Sequence, residues 1–166
     1  NVPLAPFTES ESYLDAFEQV VPYALQHFQP DVIVAQCGAD AHFNDPLADL
    51  LLTTQAYEQL FRRLLALAEE HTGGRLLCTL GGGYRLDAVS RIWAMLALIV
   101  RDIDLPETIP EDYRERWQSR LDDPLTPTLH DAERDFEVDR RSSIETQNQR
   151  TSEQALEQVA AHWHHA

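Results

Sequence analysis

Apolar positions in residues 11–28, "ESYLDAFEQVVPYALQHF", recur at Tyr13, Phe17, Val20, Val21, Ala24, Leu25 and Phe28, the spacing of one helix face. Pro22 interrupts that stripe and is expected to kink or divide the helix. Gln29-Pro30 closes it, and "DVIVAQCG" follows as an apolar, β-branched run, the texture of a strand buried in a sheet. "TTQAYEQLFRRLLALAEEHTGG" predicts a second helix, with Thr53 or Thr54 able to cap it and Gly73-Gly74 ending it. Its stripe is Tyr57, Leu60, Phe61, Leu64, Leu65 and Ala68. "RLLCTL" is a second strand, and it runs into "GGGYRLDAVSRIWAMLALIV", a glycine turn that opens a third helix.

Helix, strand, loop, helix, strand, glycine loop, helix is the order of an α/β fold with parallel strands and crossover helices. In such sheets ligands gather beyond the carboxyl ends of the strands. The loops at 38–46 and 80–85 both leave from those ends and are expected to lie close together.

Beyond residue 105 the texture changes. Pro106, Pro110, Pro124 and Pro127 stand among many charges, a short helix is expected around Asp112–Arg120, and "SSIETQNQRTSEQALEQVAAHWHHA" reads as a polar helix with a thin apolar stripe. Residues 1–105 are therefore expected as one unit and 106–166 as a peripheral helical and loop appendage, packed on the core or on a partner. The tail "HWHH", 162–165, reads as a solvated helix end.

Bulk properties narrow the class. The 166 residues are 43% apolar and 25% charged, ordinary for a globular domain able to bury a core. A net charge of −15, from 28 acids against 13 bases, disfavours direct nucleic-acid binding, which relies on Lys and Arg against phosphate. It would suit a cationic partner, but a negative surface also serves solubility, which is the plainer reading. The longest strongly apolar run, "IWAMLALIV", is far short of the ~20 residues of a membrane span. "NVPLAPFTES" has neither the basic nor the apolar region of a secretory signal. Cys37 and Cys78 lie in strand-like runs and read as free thiols in a reducing compartment, so a cytoplasmic location is expected.

The chemistry-bearing residues sit in the two loops. Asp40 stands where the first strand meets its loop, sheltered enough to hold a cation, yet also placed to cap the next turn. The glycines of "LGGGYRL" let a ligand approach the backbone closely, but lack the Gly-Lys-Ser/Thr ending of a phosphate loop. Tyr84 is either an ordinary residue at a helix start or a hydroxyl directed into the same crevice.

"PDVIVAQCGAD", "DPLADLLLT", "LGGGY" and "SRIWA" form one ordered set. Together they resemble the C-terminal half of the zinc-dependent histone deacetylase superfamily, and most of all its bacterial acetoin-utilisation (AcuC-type) branch. The resemblance covers about residues 1–105. It implies part of a three-layer arginase/deacetylase-like α/β fold, with a parallel sheet flanked by helices. It also implies a zinc-dependent amide hydrolase acting on an acetylated protein lysine or an acetylated small amine. Carried over residue by residue, Asp40 would be a Zn2+ ligand. Tyr84 would donate a hydrogen bond to the acetyl carbonyl and its oxyanion. Gly82 and Gly83 would line the acyl-lysine tunnel, Leu47 would form part of its apolar wall, and Asp45 would brace the loop.

Two departures follow. Leu80 stands where the family usually has the first of four glycines; a positive φ there would cost about 1–2 kcal/mol. The paired histidines that act as base and acid, and the other two zinc ligands, belong to the family's N-terminal half, so this chain alone is expected to lack a complete active site. His42 is expected as a loop residue near the rim rather than a ligand. A complementary N-terminal half is the implied partner, and homo-oligomerisation stays open. The competing readings are a non-catalytic α/β interaction module that keeps the deacetylase scaffold and, further off, a nucleotide-binding domain using the glycine loop.

Overall fold

The computed structural model describes residues 1–121 and 124–163. Its central unit is a parallel strand pair. β2 (Ile33–Gln36) runs alongside β4 (Leu76–Thr79), with Ile33 level with Leu76 and Gln36 level with Thr79. The Ile33 amide donates to the Arg75 carbonyl at 3.0 Å and the Cys37 amide to the Thr79 carbonyl at 2.9 Å, so the ladder extends past both ends. The crossover between the strands is α2 (Thr54–Thr72), and α3 (Leu86–Val100) follows the glycine loop. This is the helix-flanked parallel arrangement expected from the alternating pattern.

A second parallel pair was not foreseen. β1 (Thr8–Glu9) lies beside β3 (Leu50–Leu51), and two residues are too few to show a period. Between β1 and β2 runs α1 (Ser10–Phe28), unbroken although Pro22 lies inside it. Contacts with α2 and with α5 (Arg141–Trp163) hold it along its length, and such packing outweighs the hydrogen bond that proline removes.

α2 and α3 pack together over the core. Ala88, Ile92, Met95, Leu96 and Ile99 of α3 follow a three-to-four-residue spacing and meet Ala56, Tyr57 and Phe61 of α2 with Leu52. α2 ends as expected: the Gly73 amide donates to Glu69 and the Gly74 amide to Ala68. Its start differs from expectation. Thr53 is the cap residue but its side chain makes no cap bond; the Thr54 amide donates instead to the Asp131 carboxylate at 2.8 Å.

The strands are covered on one face only. Val34 and Leu77, level with each other in the ladder, are 62% and 56% exposed, so the expectation of a fully buried strand is corrected. Parallel sheets otherwise occur almost always with both faces covered.

Two parts of the region after residue 105 pack on the preceding elements. α4 (Glu111–Gln118) is short, whereas α5 lies against α1, and Leu129 is buried in the core. Buried Asn148 of α5 accepts the Ala5 amide at 2.8 Å and donates to Thr8 Oγ1 at 2.8 Å and Ser12 Oγ at 2.9 Å. His164 and His165 of the tail lie outside the described residues. No described helix is long and apolar enough to cross a membrane.

Candidate functional site

The two loops that leave the carboxyl ends of β2 and β4 are cross-linked at every level. At the base, Gln36 Nε2 donates to the Gly81 carbonyl at 3.1 Å and Trp93 Nε1 of α3 donates to the Cys37 carbonyl at 2.9 Å. One step out, the Ala39 amide donates to the Gly82 carbonyl at 2.9 Å. At the rim a carboxylate joins both loops: Asp45 Oδ1 accepts the Leu47 amide at 2.9 Å, and Oδ2 accepts the Tyr84 amide at 2.7 Å. An acid two residues before Leu47 thus positions the backbone of Tyr84, 39 residues away.

Asp40 lies between two glycines. A Cβ on Gly38 would come within 2.7 Å of Asp40 Oδ1, and one on Gly82 within 2.7 Å of Oδ2 and 2.8 Å of Oδ1. Any side chain at either place would fill the cradle. Gly82 has φ +87° and Gly83 φ +114°, backbone that L residues rarely adopt. A Cβ on Gly83 would strike Val89 Cγ2 at 2.7 Å and Ala39 Cβ at 2.9 Å, so this glycine also lets the two loops touch. Leu80 is outside the left-handed region and 56% exposed, which removes the strain expected of it; the positive φ falls on the residues that remain glycine.

The structure therefore gathers Asp40, Gly82 and Gly83 on one side of the crossing. Leu47 and Tyr84, whose side chains are both exposed, share Asp45 on the other. Two phenols, buried Tyr57 and partly buried Tyr13, feel the charge of Asp40. Burial, then Tyr13 and then the negative field of Asp40, hold Tyr57 far above the ordinary phenol range; burial and Asp40 raise Tyr13 as well. Both therefore stay protonated.

His42 departs from its expected place near the rim. It is fully buried, its Nδ1 accepting the Asn44 amide at 3.2 Å and its Nε2 facing Asp131 Oδ2 at 3.0 Å. Asp131 also receives Thr54 Oγ1 at 3.0 Å and Arg91 Nη1 at 2.9 Å. Burial pushes this carboxyl up, but hydrogen bonds from His42 and Thr54 and the Arg91 charge overcome that and hold it well below the carboxylate range. Sequence reasoning missed Asp131: "TLHDAERDF" has no periodicity or motif that ties it to a loop 89 residues earlier.

As a place for zinc, the cradle offers one carboxylate, Asp40, held against glycines that add no side chain of their own. No group of three or more His, Cys, Asp or Glu able to hold a metal is found among the described residues. A catalytic zinc uses three protein ligands, so the residues present fit one ligand of such a set.

Residues 1–100 match the family described as "Histone deacetylase domain". The chain is 35% identical over 158 residues to the "Acetoin utilization protein AcuC" of Bacillus subtilis (strain 168), covering 94% of this chain and 41% of that protein. It is 32% identical over 138 residues to a "Probable deacetylase" of Archaeoglobus fulgidus, covering 80% of this chain and 38% of that one. A solved structure of an HDAC homologue complexed with SAHA superposes with a TM-score of 0.73 at 24% identity, over 94% of this chain and 41% of that one. The chain thus spans about two fifths of the length of the proteins it matches. With its family match over residues 1–100, more than half of its length, the chain belongs to the histone deacetylase family.

Proposed function

We propose that this chain is the C-terminal portion of a zinc-dependent deacetylase that hydrolyses acetyl-lysine-type amides, on a protein or on a small acetylated amine. We further propose that it needs the family's N-terminal half to turn over. The observation that carries this reading is the crossing of the two loops: a carboxylate held in a glycine cradle, with a tyrosine backbone pinned beside it by Asp45. Asp40 would hold Zn2+ with two ligands from the complementary half. When bound, zinc supplies Lewis-acid polarisation of the acyl carbonyl and activation of a water. Tyr84 donates its phenolic proton in a hydrogen bond to the acyl oxygen, which strengthens as that oxygen gains negative charge. Gly82 and Gly83 let the acyl-lysine stem pass close to backbone, and Leu47 gives it an apolar wall. The uncovered face of β2–β4 supports a complementary half, because a two-stranded parallel sheet leaves Val34 and Leu77 in water without one. A cytoplasmic location belongs to the same proposal.

The test is reassembly with a purified N-terminal half from an AcuC-type relative, assayed on an acetyl-lysine peptide and on an acetylated polyamine. Hydrolysis that needs both halves, and is abolished by Asp40→Asn and by Tyr84→Phe, supports the reading. Tight stoichiometric zinc on this chain alone, lost with Asp40→Asn, would refute the need for outside ligands. The alternative, a non-catalytic module on the same scaffold, is favoured by the lack, among the described residues, of any group of three or more His, Cys, Asp or Glu able to hold a metal. It predicts partner binding that survives Asp40→Asn and a reassembled protein without turnover.

A further inference from the structure

His42 sits between the two residues that shape the site, two positions after Asp40 and three before Asp45. The Asn44 amide occupies its Nδ1, so the ring proton is assigned to Nε2, which donates to Asp131 Oδ2 at 3.0 Å. The segment that brings Asp131 is itself fastened at three points. Thr126 donates from its amide and its hydroxyl to the Asp87 carboxylate at 2.7 and 2.8 Å. The Leu129 carbonyl accepts Arg91 Nη1 at 3.2 Å. The Asp131 amide donates to Thr54 Oγ1 at 2.7 Å, and its carbonyl accepts Gln55 Nε2 at 2.8 Å. Asp87 and Arg91 are buried and paired with each other at 3.0 Å. Asp131 therefore hangs from the first turns of α2 and α3, the rigid elements beneath the site.

The loop above has little slack. Asp40 has no room for even a methyl group on either glycine beside it, and Asp45 must reach the Tyr84 amide at 2.7 Å. Between these points the backbone is tied by Phe43 to Leu52 and by Leu52 to Ala41, and the imidazole fastens it from within.

We propose that the His42–Asp131 bond is a positioning clamp: segment 126–131 sets the loop that presents Asp40 and, through Asp45, the backbone of Tyr84. Its effect on turnover rests on the deacetylase reading, whereas its effect on the loop does not. His42 touches no substrate in this scheme; it acts through the loop, where a displacement near 1 Å costs on the order of 100-fold in rate.

Three variants separate the cases. His42→Leu fills the space without a donor. His42→Gln places an amide nitrogen near the imidazole Nε2 and keeps the bond. His42→Asn stays polar but falls short of Asp131, and replaces the leucine variant if that one does not accumulate folded. In this chain, amide hydrogen exchange is followed at Ala39 and Tyr84 and, as a reference, at Ala35 and Leu77 in the ladder. The clamp predicts exchange faster by about tenfold or more at Ala39 and Tyr84 in His42→Leu, little change in the ladder, and recovery in His42→Gln. In the reassembled protein, kcat falls by about 10–100-fold with KM within twofold, and His42→Gln restores it. Exchange that rises equally at loop and ladder overturns the clamp, because His42 would then be ordinary core filling. So would a glutamine variant no better than leucine. A loop-confined exchange change with a wild-type assembly that never deacetylates refutes the functional reading and leaves the clamp standing.

Discussion

Alanine at each glycine of the loop 81–83 gives a graded perturbation. Gly81 has no positive φ, and a Cβ there would sit 3.4 Å from Gln36 Nε2. That contact can give, and Gly81→Ala is expected within about 0.5 kcal/mol of the wild type. At Gly82, φ +87° lies beyond the small left-handed region open to alanine, at a cost of about 1–3 kcal/mol. The new methyl also meets Asp40 Oδ2 at 2.7 Å, so the carboxylate must retreat to 3.4 Å, a move of roughly 0.7 Å. At Gly83, φ +114° carries a similar strain, and the methyl enters buried Val89 and Ala39 at 2.7 and 2.9 Å. Overpacking of about 1–3 kcal/mol adds to strain of about 1–3 kcal/mol, for a total of roughly 2–6 kcal/mol. Each kcal/mol moves Tm by roughly 2–4 °C in a chain of this size. Thermal unfolding followed at 222 nm should therefore rank the variants Gly81→Ala, Gly82→Ala, Gly83→Ala in order of increasing loss. Zinc affinity and turnover of the reassembled protein should rank differently. Gly82→Ala moves the carboxylate directly and should lose on the order of tenfold or more in kcat/KM per folded molecule. If Gly82→Ala keeps both zinc affinity and turnover within twofold, Asp40 does not work from the cradle, and the assignment of the metal site fails.

Other perturbations reach other parts of the molecule. Asp131→Ala removes one of the two carboxylates that neutralise buried Arg91, leaves the His42 N–H without its acceptor and uncaps α2, so a loss of about 3–5 kcal/mol and a Tm drop of roughly 6–20 °C are expected. The folded Asp131 carboxyl lies well below the unfolded value of about 3.9. The gap between wild type and Asp131→Ala should therefore be fully present above about pH 5 and close as pH falls through the folded pKa. A gap that widens in acid contradicts this. Leu80→Gly restores the usual family residue yet relieves no positive φ; it should be neutral or destabilising by up to about 1 kcal/mol, and a gain in Tm would show strain at Leu80 after all. Burial, reinforced by the neighbouring Cys78, pushes the Cys37 thiol up to about 12. Native-state alkylation at pH 8 should therefore spare Cys37, as read by peptide mass spectrometry; labelling at the rate of a free thiol would contradict it.

Much of the layout was legible because it is local. Helix stripes, the ends of β2 and β4 and the glycine stop of α2 are each written within a few residues, and parallel pairing follows from their order. The approach of Asp40 to Gly82 was readable for the same reason, since loops from neighbouring strand ends must meet. What escaped reading depends on partners far along the chain. Nothing in "ADAHFND" says that His42 points inward, because its burial is made acceptable by Asp131. Thr53 or Thr54 looks sufficient as a cap in the sequence, but the Asp131 carboxylate takes that role. β1 and β3 are too short to show alternation, and α1 outlasts Pro22 because neighbouring helices hold it. The exposure of Val34 reflects what covers the sheet, which strand composition cannot report.

Two long-range bonds also order events in time. The Ala5 amide finds its acceptor in Asn148, 143 residues later, and His42 finds its own in Asp131, 89 residues later. At about 5–20 residues per second, a ribosome leaves the first pair apart for roughly 7–30 s. During that interval β2, α2, β4 and α3 can collapse locally, because their contacts are short-range by comparison. The loop 38–46 would settle only once Asp131 is made, and the contact of Ala5 with α5 later still; a nascent chain stalled before Asp131 would leave His42 without its acceptor. Translational pausing between α4 and α5 is thus where synthesis and site assembly would be most tightly linked.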